Sequence, residues 1–126
     1  MATALIVDDS RATRAALRRI LTSFGVDAHE AEHGEHALDR IDAANAPYSF
    51  VLVDWNMPVM DGFSLIKAIR AERRHASLPI IMVSAELDQR QIARALMAGA
   101  DEYVMKPFDR EILLDKLASL GLAELA

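Results

Sequence analysis

The sequence predicts an α/β protein: a single doubly wound sheet of five parallel strands, covered on both faces by five helices. Two observations lead there. Leu5-Ile6-Val7, Phe50-Val51-Leu52-Val53, Ile80-Ile81-Met82-Val83 and Tyr103-Val104-Met105 are short apolar runs rich in Val and Ile, the pattern of strands buried on both faces. Between them lie stretches whose apolar residues recur at helical spacing. A third observation concerns chemistry. The runs end in Asp8-Asp9, Asp54, Ser84 and Lys106-Pro107, and parallel strands bring their C-terminal ends to one edge. Three acids, a hydroxyl and an amine are therefore expected to meet in one pocket.

The elements follow in order. Residues 4–8 form the first strand and residues 11–24 a helix, with Ala16, Leu17, Ile20, Leu21 and Phe24 on its apolar stripe. Asp9 or Ser10 can cap its start and Gly25 can end it. Val26 to Ala31 is a more polar strand, which places it near an edge of the sheet. Gly34 to Ala44 is a helix carrying Ala37, Leu38 and Ile41, and Pro47 marks the loop after it. Residues 50–54 are the third strand. Asn56-Met57-Pro58 and Asp61-Gly62 punctuate a long loop, and Phe63, Leu65, Ile66 and Ile69 support a helix to about Arg73. Pro79 opens the fourth strand at 80–83. Asp88 can cap a helix through Ala98, with Ile92, Leu96 and Met97 as its apolar residues and Gly99 as its stop. Residues 101–105 are the fifth strand. Ile112, Leu113, Leu117 and Leu120 mark the closing helix, and Gly121 to Ala126 reads as a fraying end. Ligands of such sheets bind beyond the carboxyl ends of the strands, where the strand order reverses.

Composition narrows the function. The 126 residues suit one domain, 1–126, and 52% hydrophobic content supplies its core. A net charge of −5 disfavours a nucleic-acid footprint. The dense basic stretches, Arg18-Arg19 and Arg70 to Arg74, read as solvated helix faces. With no cysteine, disulfides and thiolate metal sites are excluded. No apolar stretch has the length of a membrane span, and Met1-Ala2-Thr3-Ala4 leads into a strand without a signal-peptide pattern. The expectation is a cytoplasmic monomer that binds neither nucleic acid nor membrane.

The acids set the chemistry. Asp8, Asp9 and Asp54 placed together repel one another unless a cation intervenes. Oxygen ligands without His or Cys select a hard ion, and Mg²⁺ suits few carboxylates plus water and phosphate oxygens. Taken alone, the Asp8-Asp9 pair before a helix reads as a cap, Lys106 as a surface lysine in a turn and Ser84 as a strand-end hydroxyl bonding its own backbone. Taken together they read as a phosphoryl site. A carboxylate can attack phosphorus to form an acyl phosphate, and the transfer needs positioning and neutralisation of three equatorial oxygens. Asp54 supplies the nucleophile, while the cation, the Lys106 ammonium and the Ser84 hydroxyl each meet one oxygen.

Val7-Asp8-Asp9-Ser10, Asp54-Trp55-Asn56-Met57-Pro58-Val59-Met60-Asp61-Gly62, Val83-Ser84-Ala85-Glu86 and Tyr103-Val104-Met105-Lys106-Pro107-Phe108 resemble the receiver domain of bacterial two-component response regulators, in its CheY-like stand-alone chemotaxis form. The resemblance covers essentially the whole chain. It implies a flavodoxin-like, CheY-like sheet of strand order 2-1-3-4-5. It also implies roles. Asp54 matches the phosphoacceptor, Asp9 the principal carboxylate ligand of Mg²⁺ and Asp8 a ligand acting through water. Asn56 matches the residue whose backbone carbonyl completes the coordination. Ser84 matches the switch hydroxyl, with serine in place of the commoner threonine, and Lys106 the phosphate-binding lysine. Tyr103 matches the aromatic that turns inward when the switch hydroxyl moves. Pro107 matches a proline preceded by a cis peptide, and Asp61-Gly62 the turn opening the third helix, with Asp61 a turn or cap residue rather than a ligand. Asn56 and Glu86 match the positions that tune the acyl-phosphate lifetime, and this pair implies a short one.

The function implied is a single-domain response regulator. A sensor histidine kinase or histidine phosphotransfer protein would phosphorylate Asp54 and so switch the surface of the fourth helix, fifth strand and fifth helix for a protein effector, in a chemotaxis-like role. A phosphorelay shuttle and a receiver excised from a longer regulator are the alternatives within the family. The chain would be an enzyme only toward its own phosphorylation and dephosphorylation. His29, His33, His36 and His75 read as scattered surface residues. Two other classes fit less well. An aspartate-nucleophile phosphatase of the haloacid dehalogenase pattern would want an acid where Asn56 stands. A flavin-binding flavodoxin would want a phosphate loop where Asp9-Ser10-Arg11-Ala12-Thr13 offers carboxylates.

Overall fold

The structure, a computed structural model, describes residues 2–44, 47–57, 59–85 and 88–122. Its elements run β1 (Thr3–Val7), α1 (Arg11–Ser23), β2 (Asp27–Ala31), α2 (Gly34–Ala43), β3 (Phe50–Asp54), α3 (Gly62–Ala71), β4 (Ile80–Ser84), α4 (Gln89–Ala98), β5 (Glu102–Met105) and α5 (Arg110–Ser119), with a 3-10 turn at Arg73–His75. All strand pairs are parallel and the order is β2-β1-β3-β4-β5. The order reverses at β1, which pairs with β2 on one side and β3 on the other. The polar β2 lies at an edge, as its composition demands.

Alternation along the strands divides the core into two layers. Leu5, Val7, Val51, Val53, Ile80 and Met82 face a layer closed by Leu65, Ile66 and Ile69 of α3. Ala4, Ile6, Phe50, Leu52, Ile81 and Val83 face the other, closed by Leu17 and Leu21 of α1 and Leu113 and Leu117 of α5. β3 and β4 are buried along their whole length, so a strand-period pattern is absent from them by necessity.

Caps fix the helix starts. Ser10 Oγ accepts from Thr13 N (3.2 Å), Asp61 from Ser64 N (2.8 Å), Asp88 from Arg90 N (2.8 Å) and Asp109 from Ile112 N (2.8 Å). Ser10, not Asp9, therefore caps α1, and Asp61 is a cap. Gly25 at φ +80° and Gly99 at φ +126° terminate α1 and α4.

Four expectations are corrected. α3 ends at Ala71 rather than Arg73, because Glu72 is extended before the chain re-enters a 3-10 turn. In α4 the buried residue is Ala95, while Leu96 and Met97 are 42% and 88% exposed, so its apolar content does not all face the core. The basic stretches are not simply solvated. Arg70 donates to Gly99 O (3.0 Å), His75 O (2.8 Å) and Asp101 Oδ2 (2.9 Å), and Arg18 pairs with Glu30 (2.8 Å). Finally, the segment expected to fray from Gly121 is held at its first two residues: Gly121 takes φ +75° and Leu122 N donates to Leu117 O (2.8 Å) while Leu122 packs on the second layer. Residues 123–126 lie outside the described residues.

Candidate functional site

The four strand ends converge at the carboxyl edge. Asp8 follows β1, Asp54 closes β3, Ser84 closes β4, and Lys106 follows β5. Alternation puts Asp8, Asp54 and Lys106 on the same side as Ile6, Leu52 and Val104, above the layer closed by α1 and α5. Ser84 continues the other side, with Met82 and Tyr103. Its carbonyl accepts from Lys106 N (2.9 Å), which ties the ends of β4 and β5 together.

One carboxylate oxygen from each of Asp8, Asp9 and Asp54 lies within 4.8 Å of the others, the arrangement that could hold a metal ion. Asp8 and Asp54 are buried and Asp9 is exposed at the mouth. The three have different surroundings. Asp8 is held on every side: Oδ1 accepts from Ser10 N (2.8 Å), Oδ2 from Lys106 Nζ (3.2 Å), and its carbonyl from Arg14 Nη1 (2.7 Å). Asp54 Oδ1 accepts from the same Lys106 Nζ at 3.2 Å. The ammonium thus bridges two carboxylates.

The electrostatics follow from this crowding. Burial raises the Asp54 carboxyl from an ordinary 3.8 to about 6, with Asp8 and Asp9 adding to the rise and Lys106 opposing it. Burial alone would lower the Lys106 ammonium, but the facing charges of Asp54 and Asp8 outweigh it and hold it above its ordinary value. One ammonium bridges Asp8 and Asp54 with Asp9 grouped beside them, so the three acids retain unbalanced negative charge that a divalent ion would neutralise. The donor set is all oxygen, as Mg²⁺ requires.

The remaining candidates are placed as follows. Asn56 is exposed, two residues past Asp54. Tyr103 is half-buried against the first core layer, and Lys116 Nζ sits 4.8 Å from its ring centre. It pairs in register with Met82, and Ser84 with Met105, so Tyr103 and Ser84 are on neighbouring strands two residues apart in register. The Lys106–Pro107 peptide is cis. Gly62 N donates to Trp55 O (2.9 Å), and a Cβ there would collide with the Asp54 carbonyl oxygen. Only glycine allows α3 to start so close to the end of β3. Glu86 lies outside the described residues, as does Pro58.

Three contributors escaped the sequence reading. Arg14 is buried on α1 and links Asp8 O to Glu30 Oε1 (2.9 Å). Its signal was present: Arg14, Leu17 and Leu21 are the buried residues of α1, so an arginine occupies the core stripe. Trp55 is buried beside Asp54 and meets the Phe63 ring at 6.0 Å between centres. His33 caps α2, its Nδ1 accepting from His36 N (3.2 Å). Histidine is not among the usual N-caps, which is why both residues read as scattered.

Comparison with known proteins agrees with the fold. The family model described as the response regulator receiver domain matches residues 4–118. The chemotaxis protein CheY1 of Helicobacter pylori is 41% identical over 114 residues, which cover 90% of this chain and 91% of that protein. A chemotaxis protein CheY homolog of Campylobacter jejuni is also 41% identical, over 90% of this chain and 87% of its own length. The structure of Vibrio cholerae chemotaxis protein CheY4 superposes with a TM-score of 0.87 at 33% identity, covering 94% of this chain and 98% of that one. A family match over nearly the whole described chain, joined to the order β2-β1-β3-β4-β5 and an acid pocket at its carboxyl edge, makes this protein a member of the response regulator receiver domain family, of the CheY-like kind.

Proposed function

We propose that Asp54 is the phosphoacceptor of a two-component signalling switch. The observation that carries the proposal is the buried Asp54 carboxylate at the end of β3, grouped with Asp8 and Asp9 and 3.2 Å from the Lys106 ammonium. A carboxylate oxygen of Asp54 attacks the phosphorus of a phosphohistidine on a sensor kinase or phosphotransfer protein. The P–N bond breaks, the imidazole takes up a proton, and an acyl phosphate remains. Lys106 leaves its bridging position to pair with a phosphoryl oxygen, and the Ser84 hydroxyl donates to another. Asp9, Asp54 and the Asn56 carbonyl would hold Mg²⁺ directly, and Asp8 through water. When bound, the ion offsets charge on the carboxylates and the phosphoryl oxygens.

The output follows from the same strand ends. Movement of Ser84 toward the phosphoryl group frees space beside β4, and Tyr103 turns into it. That shifts a pre-existing equilibrium at the α4–β5–α5 surface. This surface is suited to protein contact: among the described residues, Leu96, Met105 and Ile112 are exposed large apolar side chains, and they lie on α4, β5 and α5. The effector is a protein, in a chemotaxis-like role. Asn56 and Glu86 set a short acyl-phosphate lifetime by admitting the attacking water, and exchanging both should change the dephosphorylation rate.

The test is incubation with Mg²⁺ and a small acyl phosphate or phosphoramidate, followed by location of the phosphoryl group by mass spectrometry. Modification at Asp54, lost in Asp54→Asn and on chelation, is the expected result. A phosphoryl group on any other side chain would overturn the assignment. Ser84→Ala should accept phosphate yet lose the gain in effector affinity, and an unchanged gain would remove Ser84 from the switch.

A further inference from the structure

The groove between α3 and α4 lies apart from the acid pocket and plays no part in the phosphoryl chemistry. It is an open groove of about 530 Å³, and its lining includes Phe63, Lys67, Arg70, Arg94, Met97 and Ala98. Its floor is the half-buried Phe63 ring. Lys67 Nζ lies 5.2 Å and Arg94 Cζ 4.5 Å from the centre of that ring. Met97 stands at the rim, 88% exposed. Arg70 is occupied elsewhere, by Asp101 and two backbone carbonyls.

The charge here is opposite to that of the molecule. The chain carries a net charge of −5, yet α3 (GFSLIKAIRA) and α4 (QRQIARALMA) contain Lys67, Arg70, Arg90 and Arg94 and no carboxylate. Asp61 and Asp88, which precede the two helices, are committed to their caps, Asp101 after α4 pairs with Arg70, and Glu72 follows α3 as an exposed residue at its C-terminal end. Two cations already stacked on an aromatic ring are partly ordered before any partner arrives, which lowers the entropic cost of pairing them. An unbranched thioether beside them adapts to an apolar side chain.

We propose that this groove docks an acidic segment of a partner protein, with one aliphatic or aromatic side chain seated between Phe63 and Met97 and carboxylates paired with Lys67 and Arg94. A symmetric pairing of two copies through this face is disfavoured, since it would set Lys67 and Arg94 against their own images. The apolar floor likewise favours a peptide over a bare polyanion. Docking does not depend on Asp54, so failure of the phosphoacceptor reading would leave it standing.

The test is selection of random displayed peptides against the full chain. Enriched sequences should be acidic with at least one large apolar residue. Their affinity should fall about tenfold in Arg94→Glu and in Met97→Ser, and should weaken severalfold as salt rises from about 50 to about 500 mM. Thermal unfolding checks that each variant is folded. In the unsubstituted chain, peptide-induced NMR shifts should centre on Phe63, Lys67, Arg94 and Met97, which tests the site even if a variant fails. No enrichment, neutral or basic winners, shifts centred elsewhere, or unchanged affinity in both variants would overturn the proposal. So would equal competition by single-stranded DNA, or a dimer that Arg94→Glu abolishes.

Discussion

Asp54 is ionised at a cost. Its carboxyl is raised from 3.8 to about 6 by burial and by Asp8 and Asp9. A raised carboxyl binds its proton more tightly in the folded chain than in the unfolded one, so folding gains from this group at low pH and loses that gain as pH climbs through about 6. Asp54→Asn should therefore be more stable than the parent at pH 7 in chelator, by about 1–2 kcal/mol after allowance for solvent screening. The difference should vanish at about pH 3 and below, where the parent carboxyl is protonated in both states. Urea unfolding at the two pH values measures it, and equal stability at pH 7 would contradict the assigned cause. Gly62 makes the opposite demand. A methyl group at this position meets the backbone of Asp54 and Trp55, which cannot swing aside as a side chain would. Gly62→Ala should cost about 1–3 kcal/mol and displace Asp54 enough to slow its phosphorylation. Unfolding and phosphorylation assays on the one variant would show whether both losses occur.

At the level of elements, α1 and β2 are joined by a clamp. Arg14 and Arg18 share Glu30, and Arg14 reaches on to the Asp8 carbonyl. Burial would raise the Glu30 carboxyl, but hydrogen bonds from Arg14 and Arg18 outweigh it and hold it below its ordinary 4.5. The sign is that of a paired acid: the stabilisation is present above the unfolded value and fades as pH falls through the folded one. Arg14→Met keeps the packing and removes the donor, so it should cost about 2 kcal/mol near pH 7. Its difference from the parent should narrow in acid, and a pH-independent gap would mean that packing, not the pair, is at stake. The clamp was readable in principle, because Arg14 falls on the buried stripe with Leu17 and Leu21. It went unread because its partner Glu30 lies on another element. The same division runs through the fold. β3 and β4 announce themselves because both of their faces are buried, and each catalytic candidate sits at a strand end where register fixes it. α4 misleads because Ile92, Leu96 and Met97 share its apolar content while only Ala95 reaches full burial; a helix that serves a surface as well as a core carries two patterns at once. The partners of Arg70, Gly99 O and Asp101, are set by how α3 packs against α4 and the turn that follows it, which local sequence does not encode.

Across the whole molecule the acid pocket sets two opposed demands. Without a metal ion, three grouped carboxylates face one ammonium that pairs with two of them, and the carboxyl edge is strained electrostatically. A ligand that binds only the folded chain stabilises it by RT ln(1 + [L]/Kd), about 1.4 kcal/mol at ten times Kd. For a chain of this size that corresponds to roughly 4–6 °C in Tm. Mg²⁺ at neutral pH should therefore raise Tm by about this amount over a sodium control of equal ionic strength, since screening alone relieves little of a buried repulsion. The same ion should do less in acid, where protonation of Asp54 removes a ligand, so the increment should shrink as pH falls below about 6. Asp54→Asn and Asp9→Asn should each lose most of the increment, although the first starts from a higher Tm. A variant with raised Tm and no response to Mg²⁺ separates the cost of the uncompensated charge from its use. If Asp9→Asn kept the full increment, the carboxylates would be a repelling cluster and not a cation site, and the exposed position of Asp9 at the mouth of the pocket would need another reason.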